Sequence, residues 1–120
     1  MELLLQQRLD FNAAGAVTHY LPTYRKMKLT QVRLVPLENS TADGSNYVTI
    51  SVINGSTTLA SRATDSDNLA VGVSESLSLS GGEALDFEDL GEIKFTAVHT
   101  GSGVAADVEI LLVFEPARAV

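Results

Sequence analysis

The feature that most constrains this chain is a strand that runs straight into a turn. Across Tyr47-Val48-Thr49-Ile50-Ser51-Val52-Ile53 the apolar side chains recur every second residue, and Asn54-Gly55 follows at once. A two-residue period places Val48, Ile50 and Val52 on one face of an extended segment and Thr49 and Ser51 on the other. Asn-Gly supplies the positive-φ positions that a type I′ turn needs, so Ser56 to Arg62 is expected to return antiparallel to Tyr47–Ile53.

The same period dominates elsewhere. Ile93, Phe95 and Ala97 alternate with Lys94 and Thr96, and Ala106, Val108, Ile110, Leu112 and Phe114 alternate with Asp107 and Glu109. Gly101-Ser102-Gly103 lies between these two segments and reads as the turn of a second hairpin, Glu92–Thr100 with Val104–Glu115. Pro116 stops the last strand, because it has no N–H to give a ladder. Short strands are expected at Leu69–Ser74, Glu75–Leu79 and Leu85–Phe87, and a longer one over Lys28–Leu37 with a change of phase near Leu34-Val35, as a bulge produces. Val48, Ile50, Val52, Phe95, Val108, Ile110 and Phe114 are the predicted core. Strands at intervals of about 8 to 12 residues, divided by turn residues, indicate an all-β antiparallel sandwich or small barrel.

Residues 1–27 differ in kind. Met1 to Asp10, with the short apolar run Leu3-Leu4-Leu5, reads as a helical turn or an edge strand, Asn12 to Ala16 is small and pliant, and Leu21-Pro22-Thr23-Tyr24 is extended. The expectation is an N-terminal arm over 1–27 and a sandwich domain over 28–120. Leu3, Leu4, Leu5, Leu9, Phe11, Tyr20 and Tyr24 are too apolar for a solvated tail, so the arm is expected to dock on a partner. The interrupted Leu run is too short for a signal peptide or a membrane span, which implies a soluble protein made in the cytoplasm.

Charge narrows the partners. Eight Lys and Arg face fifteen Asp and Glu, a net −7, which opposes binding to nucleic acid or to an anionic membrane. The charge is uneven: Met1–Leu37 carries Arg8, Arg25, Lys26, Lys28 and Arg33 against Glu2 and Asp10, or +3, leaving −10 for the rest. Copies of the chain are therefore able to pair a basic face with an acidic one, such as the Glu83–Glu92 segment. In the last strand Leu111 and Val113 break the acidic outer face begun by Asp107 and Glu109, which implies that this end runs beneath another layer or a neighbouring subunit. The candidate partner-binding residues are thus Leu3, Leu4, Leu5, Leu9, Phe11, Tyr20, Tyr24, Arg25, Lys26, Lys28, Leu111 and Val113.

Chemistry is hard to place. With no cysteine there is no disulfide, thiolate nucleophile or thiolate zinc site, and His19 and His99 stand far apart without carboxylates at ligand spacing. Asp65-Ser66-Asp67-Asn68 opens like a calcium loop, but Leu69, Ala70 and Ser76 occupy positions where an EF-hand needs an oxygen ligand, Gly and Glu. Asx-type turn chemistry is the better reading. No Gly-x-Ser-x-Gly, Walker or dinucleotide-binding glycine motif occurs. The expectation is a non-enzymatic protein with no cofactor and no metal.

From about Lys28 to Phe114 the chain resembles the small β-sandwich, often jelly-roll, decoration or head-cement proteins of tailed bacteriophages. The resemblance is carried by Val48–Gly55 with Ser56-Thr57-Thr58-Leu59-Ala60, by Ser78-Leu79-Ser80-Gly81-Gly82-Glu83, and by Lys94-Phe95-Thr96-Ala97 through the glycine turn to Val108-Glu109-Ile110. It implies a jelly-roll sandwich of about eight strands and a virion structural protein. Such a protein binds the major capsid protein on the outer surface of the head, and its copies form symmetric oligomers, here a homotrimer. No functional residue transfers with it, since such contacts are surfaces. The alternative is a ligand- or glycan-binding sandwich from a phage tail or fibre, which the lack of Trp and the presence of only Tyr20, Tyr24 and Tyr47 disfavour.

Overall fold

A computed structural model describes residues 3–11, 17–23, 26–88, 91–103 and 106–116. Nine strands follow one another: β1 (Leu3–Phe11), β2 (Val17–Pro22), β3 (Met27–Pro36), β4 (Tyr47–Asn54), β5 (Thr57–Ala63), β6 (Glu75–Leu77), β7 (Asp86–Phe87), β8 (Glu92–Thr100) and β9 (Ala106–Pro116). A single 3-10 turn, Gly82–Leu85, precedes β7. One antiparallel sheet has the order β1-β9-β3-β6, with β7 also on β3, and the other has the order β2-β8-β4-β5. They pack as a sandwich.

The topology follows from the hairpin that the sequence marks. β4 pairs with β5, β3 with β6, β2 with β8 and β1 with β9, each antiparallel. These pairs are nested, so the chain is one long two-stranded ribbon whose tip is the β4–β5 turn. Rolling the ribbon up adds the pairs β3–β9 and β4–β8. The result is a jelly roll, in which consecutive strands mostly alternate between the sheets.

At the tip, Asn54 pairs with Thr57, so the two turn residues are Gly55 and Ser56 rather than Asn54 and Gly55. Gly55 takes φ 64°, as the first position of a tight hairpin turn requires. The one-residue slip is absorbed by a register shift after Val52. Leu59 and Ala60 are consequently both buried, and the inward face of β5 is kept. The change of phase in β3 also lies elsewhere than expected. It falls between Leu29 and Gln31, where Thr30 is the extra residue and donates from Oγ1 to the Val113 carbonyl at 3.0 Å, so Leu29, Val32 and Leu34 all face inward.

Every residue of the predicted core is buried, and Leu9, Met27, Leu29, Leu34, Ile93 and Leu112 join it. The rings of Phe87 and Phe114 meet edge to face, with centroids 5.8 Å apart and planes at 79°. The buried threonines are satisfied. Thr64 exchanges bonds with Val48, and Thr23 donates from Oγ1 to the Glu88 carbonyl and from N to that of Gly91.

Three expectations are corrected here. The N-terminal arm over 1–27 is not an arm: β1 and β2 are integral strands, one in each sheet, and Leu9 is fully buried in the core. The β8–β9 hairpin is not a hairpin either. β8 and β9 lie in different sheets, and Gly101-Ser102-Gly103 carries the chain across the edge of the sandwich. A short glycine loop serves a corner as readily as a hairpin, and alternation within each strand does not say which sheet it joins. Leu69–Ser74 is likewise not a strand. Leu69 forms an isolated bridge with Ser40, and 71–74 turns through Gly72 at φ 84°.

The corner gives a sharp test. Gly101 has φ 65°, and a β-carbon there would lie 2.2 Å from the Ser45 carbonyl oxygen and 2.6 Å from Asn46 Oδ1, which itself accepts from Ser102 N. Left-handed backbone in a non-glycine residue costs about 1–3 kcal/mol before any clash. Gly101→Ala is expected to exceed about 2 kcal/mol in urea unfolding, while Gly55→Ala, where a β-carbon meets nothing, shows the backbone cost alone.

The open edge between β5 and β6 is closed by charge. Arg62, opposite inward-facing Ile50, forms a two-pronged pair with Glu75, from Nε to Oε1 at 2.7 Å and from Nη2 to Oε2 at 3.1 Å. Arg62 Nη2 also reaches the carbonyls of Asp67 and Asn68, so one guanidinium ties the two sheets to the acidic loop that the sequence marks as a turn. The pair is partly screened by water, so Arg62→Ala is expected to cost about 1–3 kcal/mol. Arg62→Lys should recover less than half, because an ammonium cannot reproduce the fork. Chemical denaturation of both variants checks this.

Candidate interaction surface

The outer face of the β1-β9-β3 sheet changes character along its length. At one end Arg8 donates from Nε to Asp107 Oδ1 at 2.9 Å, and Gln6 donates from its amide to Glu109. That hydrogen bond from Arg8 holds the Asp107 carboxyl below the ordinary carboxylate range, despite partial desolvation. The acidic half of β9 is thereby answered by β1 of the same chain.

The other half is not. Leu111 stands between Gln6 and Arg33, and Val113 between Leu4 and Gln31. Leu111 and Val113 are half-buried by these neighbours, Leu4 is 59% exposed, and Val35 continues the stripe on β3. No described element covers this stripe. Its rim carries both signs: Lys28 is exposed between Glu115 and Asp86 in register, and Arg33 is exposed with Nη2 on Ser74 Oγ at 2.9 Å.

The sequence candidates divide accordingly. Leu4, Lys28, Leu111 and Val113 share the outer face of this sheet. Leu9 is fully buried in the core and reaches no partner, and Leu5 packs against the core while half-buried. Leu3 and Phe11 hold the two ends of β1, opposite Phe114 and Ala106. Tyr20 lies on the other sheet, opposite Lys94, and is 57% exposed. Lys26 is exposed beside Glu88 at 3.9 Å. Tyr24 and Arg25 lie outside the described residues.

A second apolar patch escaped sequence reasoning. Leu37, Val71 and Val73 are exposed at one end of the sandwich, where Val71 N donates to Asn39 Oδ1 and Ser40 pairs with Leu69. The signal was Gly72, whose positive φ breaks a β-like run and leaves both valines outside. Among the described residues no three His, Asp or Glu side chains converge on a metal position, and no helix is long and apolar enough to cross a membrane.

No protein-family model matches this chain, and no curated protein matches it. A chain in a solved structure of infectious bursal disease virus, Gx strain, is similar over 95% of this chain with 14% identity and a TM-score of 0.38. This chain spans 32% of that chain's length, and likeness at this level assigns no shared fold.

Proposed function

We propose that this chain is a non-enzymatic virion structural protein, a decoration or cement protein that binds the major capsid protein on the outer surface of a phage head and stabilises the shell. The observation that carries the reading is the uncovered stripe of Leu4, Leu111, Val113 and Val35 on a rigid two-sheet body. It agrees with the resemblance of Lys28–Phe114 to head-cement proteins. Attachment runs through a sheet face and not through a flexible arm. Little ordering entropy is then lost on docking, since the strands are already fixed by their ladders. Fully burying one such side chain is worth about 1.5–3 kcal/mol, and many copies on a lattice add modest contacts into firm reinforcement. Arg33 adds one exposed cation at the margin of the stripe and gives binding a salt-sensitive part. A homotrimer follows if Arg33 of one copy meets the acidic Glu83–Glu92 segment of the next and the rotation closes.

Cosedimentation with purified phage capsid shells tests this. The protein is expected to pellet with shells, and Leu111→Glu, at an outward position, is expected to lower occupancy at least about tenfold while leaving thermal unfolding within a few degrees. Absence of cosedimentation, or equal occupancy by the variant, overturns the reading. A monomer in sedimentation equilibrium at high micromolar concentration, together with unclustered single copies on the shells, overturns the trimer.

A further inference from the structure

On the opposite sheet, at the end where the β4–β5 turn lies, a groove of about 330 Å³ is lined by Tyr20, Asn54, Gly55, Glu92 and Lys94. This volume falls at the lower end of small-molecule clefts. The ribbon topology assembles it: β2 brings Tyr20 opposite Lys94 of β8, β8 runs opposite Ile53 of β4, and Glu92 follows two residues from Lys94 on the same face.

The lining groups are unspent. The Tyr20 ring is 57% exposed on the edge strand β2, so one face of the sheet ends in an uncovered aromatic. Glu92 and Lys94 make no ion pair or hydrogen bond with the described residues. Asn54 is the exception, since its Nδ2 donates to the Ala84 carbonyl at 2.8 Å and reaches the Asp86 carbonyl at 3.5 Å, which fixes the end of β4 beside the groove. Gly55 adds no side chain, and even a β-carbon there would touch nothing, so the mouth stays open.

We propose that this groove is a binding site for a neutral saccharide unit. A sugar ring has one face of C–H bonds, which stacks on an aromatic ring, and a rim of hydroxyls that both donate and accept. Tyr20 supplies the platform, the Glu92 carboxylate accepts, and Lys94 donates. One positive and one negative group cancel, which disfavours a phosphate or a polycation and suits an uncharged polyol. The site lies on the sheet opposite the capsid-attachment face proposed above, so the two readings stand or fall separately.

The test is retention of the full-length protein on immobilised neutral oligosaccharides of glucose, galactose, mannose and N-acetylglucosamine, with heparin as the anionic control. Retention on at least one neutral sugar is expected. It should weaken about tenfold in Tyr20→Ala, persist in Tyr20→Phe, which keeps the ring, and fall severalfold in Glu92→Gln, all with unchanged thermal unfolding. The proposal is overturned by no retention on any neutral sugar, by retention that Tyr20→Ala leaves unaltered, or by retention on heparin alone.

Discussion

Deleting residues 2 to 24 unfolds the protein. The truncation removes β1 and β2, one strand from each sheet, and with them Leu9, which is fully buried. β1 lies along β9 from Leu3 opposite Phe114 to Phe11 opposite Ala106, and β2 lies along β8 from Val17 opposite Ala97 to Pro22 opposite Glu92. Their loss strips the ladder partner from one side of β9 and β8 and opens Val108, Ile110 and Ile93 to water. A domain of this size holds about 5–15 kcal/mol in total. Losing a core Leu alone costs about 2–5 kcal/mol, and the half-buried Leu5, Val17 and Leu21 go with it. Circular dichroism and thermal unfolding of the truncated chain are expected to show no cooperative transition. A folded, cooperatively melting truncation would mean that residues 2–24 are an appendage after all.

Replacing Phe114 by Ala is expected to cost about 3–5 kcal/mol in denaturant unfolding. Phe114 is fully buried at the centre of its sheet, with Leu3 on one side in register and Leu29 on the other, and its ring meets the edge of Phe87 from the short strand β7. The aromatic pair adds about 0.5–1.5 kcal/mol beyond burial. Phe87→Leu should cost less than Phe114→Ala, because it keeps most of the volume and loses only the edge contact. A loss below about 1 kcal/mol for Phe114→Ala would show that the inner face of β9 is misassigned.

These two results separate what local pattern encodes from what it does not. β4 was legible because it alternates cleanly, and β9 because every second residue from Ala106 to Phe114 is apolar, and their buried faces are those the pattern names. β1 was illegible because Leu3-Leu4-Leu5 spans both faces and Gln7 occupies the inward position opposite Ile110. β2 is an edge strand with exposed His19 at the position opposite buried Phe95, so its period carries little apolar contrast. The choice of sheet for β8 and β9 depends on pairings between residues far apart in sequence, such as β1 with β9, and no window along the chain contains them. The apolar stripe was partly visible, since Leu111 and Val113 violate the polarity of their own strand. Leu4, Val35 and Arg33 join it only through register. Leu9 fell out of the candidate set for the complementary reason: from sequence it belonged with Leu4 and Leu5, and the pleat sends it to the other face.

The central claim is that the outer face of the β1-β9-β3 sheet is the surface that meets the capsid. Amide hydrogen exchange of the protein free and bound to phage shells tests it directly. Slowed exchange on binding is predicted over β1 at Leu4–Arg8 and at the β3 and β9 edges around Lys28–Val35 and Leu111–Glu115, with β2 and the outer face of β8 unchanged. Protection confined to β2, β8 and the β4–β5 turn, or none at all in shell-bound protein, would contradict it.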